Sequence, residues 1–312
     1  MSKKKAPRPY TQLMPPQPQG FEMPFWYSAL QSFWLYYLVD RDTAESLLPQ
    51  TPRGHRLALA RFSDHQDHAL VSLDFQAYMS GGASFMGTTT EIEFNVYAYP
   101  EKRLPDVPLM STTDYLMGRD QTKTIGGFRV HVPCSNPNAV KAGRRNFGEP
   151  KWRAAFSWAI PSLNQVPYEE TWSYKVAEPF TKKQTRKGVV LQPDDPFIYS
   201  VSADLTGLNP LMSNISPLIE YGTRRIQKEE GEHVDVVAAN YWNFFGPFPT
   251  YFFGESQGHE RVKLTLGTQI DHRGLYRDVR DVIGHRAPIA AQTFSSAPVS
   301  SESQAWFESP DD

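Results

Sequence analysis

The sequence predicts an α+β fold, mainly antiparallel β, with a few peripheral helices. The first reason is strict apolar–polar alternation. In Ala69–Tyr78, Val71, Leu73, Phe75 and Ala77 alternate with Ser72, Asp74 and Gln76. In Glu91–Tyr99, Ile92, Phe94, Val96 and Ala98 alternate with Glu91, Glu93, Asn95 and Tyr97. The second is composition: 13% aromatic residues with 26 prolines suit short strands and turns better than a helical bundle. The third is size: 312 residues are enough for one large domain or two small ones, and 40% hydrophobic with 21% charged side chains suit a packed globular core.

Taken in order, residues 1–20 are rich in Lys, Pro and Gln and read as a flexible arm. A single domain then spans 21–294, with no internal repeat. Phe25–Tyr37 is dense in aromatics, and its end reads as a strand entering the core. Asp40 or Asp42 caps a short helix whose apolar side is Ala44, Leu47 and Leu48, and Pro49 ends it. Strands follow at Leu57–Phe62, Ala69–Tyr78 and Glu91–Tyr99. Residues 101–127 read as an insertion or long loop with one short helix near Thr113–Met117. Phe128–Val132 is a strand. Asn138–Asn146, capped by Asn136 or Asn138, is a short helix leading into Gly148-Glu149-Pro150-Lys151, where Pro150 holds Glu149 extended. Further strands are expected at Thr171–Ala177, Gly188–Gln192, Phe197–Asp204 and Val262–Ile270, and a helix at Pro217–Glu229. Asn240–Gly254 is extremely aromatic. Residues 295–312 turn to Ser, Pro, Glu and Asp and read as a disordered tail.

Several function classes drop out. A net charge of −2 argues against a general nucleic-acid binder. No run of about 18 apolar residues exists, so no membrane partner is expected. The single cysteine, Cys134, forms no intramolecular disulfide, and MSKKKAPRPY lacks the apolar stretch of a signal peptide, which together point to the cytoplasm. Asn214-Ile215-Ser216 is then a chance match to a glycosylation acceptor. His65 and His68 lack a third ligand, and a solvated turn explains them better than a metal site.

The chemistry centres on Lys151. It follows Pro150 among Phe147, Trp152, Phe156 and Trp158. Taking water from its ammonium group lowers a lysine pKa, which is the condition for an amine nucleophile that attacks carbonyl carbon. At an unperturbed pKa of about 10.4, only a few parts in ~10⁴ are free amine at pH 7.

The chain resembles the acetoacetate decarboxylase family. Gly143-Arg144, then RNFGEP, then Lys151 matches the family's Gly-Arg pair, spacer and proline-preceded lysine. LVSLDFQAYM with Asp74, the Thr90-Glu91 pair and the VDRDTAESLLP helix are also similar, in the family's order, over roughly residues 25–160. The resemblance implies a closed or nearly closed β-barrel-like sheet with Lys151 facing its cavity, a homo-oligomer, and no cofactor. It implies Lys151 as the Schiff-base residue, Glu91 as the proton-moving acid and Asp74 as its partner. Arg144, Trp152 and Phe147 are the expected substrate-binding residues. Trp152 stands where the family has a second lysine, and Ala29-Leu30-Gln31-Ser32 lacks the family's early arginine. Burial against aromatics then has to lower the Lys151 pKa, helped by Arg144, Arg145 or Arg153 if one folds inward. An ionised Glu91 beside the amine would act in the opposite sense, so one of the two acids is expected to be protonated or turned away.

The implied function is decarboxylation of a β-keto acid or related oxo acid through Lys151. Schiff-base aldol or dehydration chemistry, or an idle small-molecule-binding pocket, are the alternatives. If the aromatic run at 241–253 lines a pocket, it implies a larger, more apolar substrate than acetoacetate.

Overall fold

The longest strands set the frame: β1 (Trp26–Asp40), β3 (His68–Gly81) and β4 (Gly87–Pro100) pair antiparallel as neighbours. The computed structural model describes residues 24–49, 56–81, 87–162, 168–179, 191–227 and 233–296. The expected arm at 1–20 and all but the start of the tail at 295–312 lie outside them.

The register follows from the alternation. Phe33, Phe75 and Ile92 align across the three strands, as do Leu35, Leu73 and Phe94. This face packs on a second, four-stranded sheet of β7 (Ala155–Ala159), β8 (Thr171–Ala177), β9 (Tyr199–Asp204) and β14 (Val262–Leu266). Phe33 stacks on Trp172 at 5.5 Å and Phe75 on Tyr174 at 5.1 Å, so aromatic packing joins the two layers.

The polar side of the alternation is buried too. Asp74, Gln76, Glu91, Glu93 and Asn95 are at most 2% exposed. An amphipathic strand normally turns such residues to water. Here further strands continue the sheet, and the polar rows of β3 and β4 become an interior surface.

The large sheet runs β10 (Leu211–Ser213), β13 (Phe248–Phe252), β15 (Ala290–Ser295), β1, β3, β4, β5 (Gly126–Cys134), β11 (Leu218–Gln227), β12 (His233–Trp242). Side strands β2 (Leu57–Leu59) and β6 (Lys151–Arg153) pair with β4 and β5. The sheet is open, contrary to the expected barrel: its path ends at β10 and β12, and no ladder joins them among the described residues. What brings β12 to β1 is side-chain stacking, with Tyr27 on Trp242 at 4.9 Å.

The helices are short: α1 (Arg41–Glu45), α2 (Thr112–Leu116), α3 (Pro137–Ala142), α4 (Glu255–Arg261) and α5 (Leu275–Asp278). The expected helix at Pro217–Glu229 is instead strand β11. Ile219 and Tyr221 enter the core while Glu220 faces the polar interior, a period of two that pairing with β12 enforces over local helix preference. Of the strand expected at Gly188–Gln192, only Leu191 and Gln192 are described, and they are not in a strand. The Val262–Ile270 strand stops at Leu266.

Candidate active site

Local sequence delivers Lys151 to the edge of the polar interior. After β5, Asn136 accepts backbone hydrogen bonds from Asn138 and Ala139 and caps α3, with Pro137 in the first turn. The helix widens into one π-turn over Gly143–Phe147. Gly148, at φ 65°, ends it in the left-handed conformation that glycine adopts without penalty. Pro150 keeps Glu149 extended. Lys151 then opens β6, which pairs parallel with β5 at Val132. The Arg144 Nε donates to the Lys151 carbonyl at 2.5 Å, tying the turn to the strand it launches.

Lys151 is 6% exposed, and its Nζ lies 2.9 Å from Glu91 Oε2 and 2.8 Å from Glu149 Oε2. Tyr78 donates to the same Glu91 oxygen at 3.1 Å. On the far side of Glu149, Arg129 Nη1 donates to Glu149 Oε1 at 2.7 Å and to Glu220 Oε2 at 3.0 Å. Asn240 completes Glu220 at 2.9 Å. Gly143 leaves the room for this arrangement. A Cβ there would sit 2.1 Å from Glu149 Oε2 and 2.5 Å from Lys151 Cδ.

The electrostatics run against the expected neutral amine. Burial disfavours the ammonium, but Glu149 and Glu91 outweigh it and hold Lys151 well above the ordinary lysine range. Burial likewise works against the Glu149 carboxylate, yet Lys151 and Arg129 keep it below its usual value. Glu93 is pushed well up by burial and by Glu220, and Glu220 is raised by burial despite Arg129. The resting site therefore holds a desolvated ion pair.

Lys151 and Glu149 open onto a cavity of ≈600 Å³ walled by residues of β1, β12, α3 and the π-turn. Among the described residues no three His, Cys, Asp or Glu converge as a metal site, and no helix is long and apolar enough to cross a membrane.

No protein-family model and no curated protein matches the chain. Solved structures do. Acetoacetate decarboxylase aligns at TM-score 0.55 and 12% identity, covering 91% of both chains. The fold is that of acetoacetate decarboxylase. The enduracididine biosynthesis enzyme MppR, complexed with pyruvate, aligns at TM-score 0.53 and 11% identity over 88% of both chains. The same enzyme holding the condensation product of pyruvate and imidazole 4-carboxaldehyde aligns at TM-score 0.53 and 12% identity over 94% of both.

Within this acetoacetate decarboxylase fold, Lys151, Glu91 and Phe147 come together and three other expected residues do not. Asp74 faces Glu93 across the β3–β4 ladder, while Gln76 stands opposite Glu91. Its carboxyl accepts from Ser72 at 2.9 Å and Asn95 at 2.7 Å, and burial raises its pKa to about 8. Trp152 follows Lys151 on an extended strand and so points the other way, into the core between the sheets. Arg144 is spent on the Lys151 carbonyl, and both it and Arg145 are exposed. Arg129 is the cation that the site holds.

Glu149 is a second carboxylate at Lys151 that the sequence-based expectations lack, although its signal is legible. Residues i and i+2 of an extended chain share a face, and Pro150 extends Glu149. Arg129 left no such trace, because only the β4–β5–β11 pairing brings it to Glu149 and Glu220.

Proposed function

We propose that the chain is a Schiff-base-forming lyase that acts on an oxo acid through Lys151. The observation that carries this reading is a buried amine between two carboxylates at the wall of a large cavity.

The ion pair is the reservoir of the reactive form. Passing one ammonium proton to Glu149 or Glu91 gives the free amine next to a carboxylic acid. The nitrogen lone pair adds to the keto carbon, and the acid returns its proton to the departing oxygen as water leaves. The product is an iminium cation, and the remaining carboxylate is its counter-ion. In a β-keto acid the electrons of the bond to the carboxyl carbon flow toward that nitrogen, carbon dioxide departs and an enamine remains. A proton taken up from water by one of the glutamates then adds to the enamine carbon, and water hydrolyses the imine. Two acids flanking one amine suit this sequence, since one balances charge while the other moves protons.

A second reading keeps the imine but uses the enamine in aldol or dehydration chemistry. One feature favours giving it weight. The MppR structures hold pyruvate and its condensation product. Against it, Lys151 is the only basic side chain among the described residues of the cavity wall, so no second cation waits for a carboxylate that must stay bound.

Borohydride in the presence of an oxo acid should add the reduced substrate's mass at Lys151, and Lys151→Ala should abolish it. Carbon dioxide release from a panel of β-keto acids separates the two readings. Failure to trap any oxo acid leaves an idle binding pocket.

A further inference from the structure

We infer that the carbonyl compound this site accepts carries a bulky apolar, preferably aromatic, group and no second anionic charge at its far end; the inference rests on Lys151 as the imine-forming residue.

Volume comes first. A cavity of ≈600 Å³ has room for about twenty waters at about 30 Å³ each. A C3 or C4 oxo acid bound at Lys151 fills a small part of that space. It lies in the range of pockets that enclose drug-sized ligands, roughly 300–1,000 Å³.

The wall says what belongs there. A continuous aromatic path leads away from the reacting amine. Tyr78, which donates to Glu91, meets Tyr27 edge-on at 5.1 Å. Tyr27 stacks on Trp242 at 4.9 Å, and Trp242 on Phe244 at 5.6 Å. Phe244 then meets Phe294 at 5.1 Å. On the opposite side Phe25 meets Phe147 edge-on at 6.0 Å. These rings come from five separate stretches of chain, so the wall is a tertiary construction and not one apolar segment exposed by accident.

Charge settles the other end. Lys151 and Glu149 are the only ionised side chains among the described residues that line the cavity, and they sit together. A second anionic group held against the aromatic wall would lose its hydration without gaining a partner. The substrate is therefore polar at the reacting carbonyl and apolar beyond it.

The test compares acetoacetate with its analogue in which a benzyl group replaces the terminal methyl. Both present the same β-keto acid to Lys151. Borohydride trapping on the wild-type protein, read by intact mass, should half-saturate at about 10- to 100-fold lower concentration of the benzyl compound, the worth of burying one aromatic group. Trp242→Ala should shrink that ratio. Equal half-saturation, or a preference for acetoacetate, overturns the inference while leaving the imine chemistry standing. A separate titration uses Lys151→Met and the neutral ketone benzylacetone, followed by tryptophan fluorescence, with acetone as the control. Saturable binding of benzylacetone alone, with no trapping in the wild type by either acid, supports the apolar subsite and sinks the Schiff-base reading instead. No saturation by benzylacetone, with no preference in trapping, sinks the subsite.

Discussion

The Lys151 Nζ lies 2.8 Å from Glu149 Oε2, two residues back along an extended stretch, and the pair is buried. Glu149 is the strongest influence holding the ammonium in its charged form. Two consequences oppose each other. The amine is kept in place and dry, and the fraction of it that is nucleophilic at neutral pH is kept small. Trapping by an oxo acid should therefore quicken as pH rises into the alkaline range. Glu149→Gln removes the anion and keeps an oxygen for Arg129. Its trapping profile should move to lower pH by about 1–3 units, the usual effect of one opposite charge within about 4–6 Å. A profile that stays in place, measured as rate of mass addition against pH, would refute this role for Glu149.

Asp74 offers a test of the polar interior that leaves Lys151 alone. Its folded pKa is raised to about 8 by burial, against about 3.9 unfolded. The folded state thus binds more protons than the unfolded state between about pH 4 and pH 8, so this group's contribution to stability is present at low pH and declines as pH climbs. Asp74→Asn, which still accepts from Asn95, should lack that decline. Relative to wild type it should gain about 1–3 kcal/mol on going from pH 5 to pH 8, read from denaturant midpoints. A gap between the two proteins that does not change with pH would mean that Asp74 is ionised inside the fold.

Gly143→Ala separates site geometry from helix stability. Its φ of −58° is ordinary helix, so backbone strain is not the issue, and alanine is the better helix former by about 1 kcal/mol. Space is the issue: the new Cβ would press on Glu149 and on the Lys151 stem. Overpacking of this kind costs about 1–3 kcal/mol. The variant should be destabilised by that order, and its trapping rate should fall by more than about tenfold because the amine and its acid are pushed apart. Retained trapping with unchanged stability would show that the lysine stem has another place to lie.

Much of the fold could be read from the alternating strands, because period-two patterning fixes which side of a strand meets the core. Ile92, Phe94, Val71 and Leu73 all lie where that pattern puts them. The pattern is silent on what the other side meets. Asp74 and Glu93 lie on the polar side of the alternation and are buried all the same, because neighbouring strands continue the sheet around them. The β11 segment misled for a related reason. Its pairing with β12 and β5 is non-local, and local preference cannot see it. In the site, Lys151 and Glu91 were legible as a motif and Glu149 as a spacing. The charge state was not, since it depends on how many carboxylates the fold gathers around one amine.

Arg129 is where those carboxylates are balanced. It is 1% exposed and donates to Glu149, to Glu220 and, from Nε, to the Tyr221 carbonyl at 3.3 Å. Arg129→Gln leaves buried Glu220 without its cation and Glu149 with Lys151 alone, a loss of about 3–5 kcal/mol for a buried pair broken from one side. The loss should depend on pH in a defined sense. In the wild type the lowered Glu149 pKa contributes stability above the unfolded glutamate value of about 4.3, and that contribution is lost as pH falls through the folded value. Without Arg129 the Glu149 carboxyl rises and part of that contribution disappears. The stability gap between wild type and variant should therefore be small near pH 4 and widen toward pH 7. Arg129→Lys keeps the charge but not the fork, so it should recover part of the gap at pH 7 and little of the packing. Denaturant midpoints of the three proteins at pH 4 and pH 7 decide the matter. A gap that is equal at both pH values, and equal for glutamine and lysine, would mean that Arg129 serves as volume and not as charge.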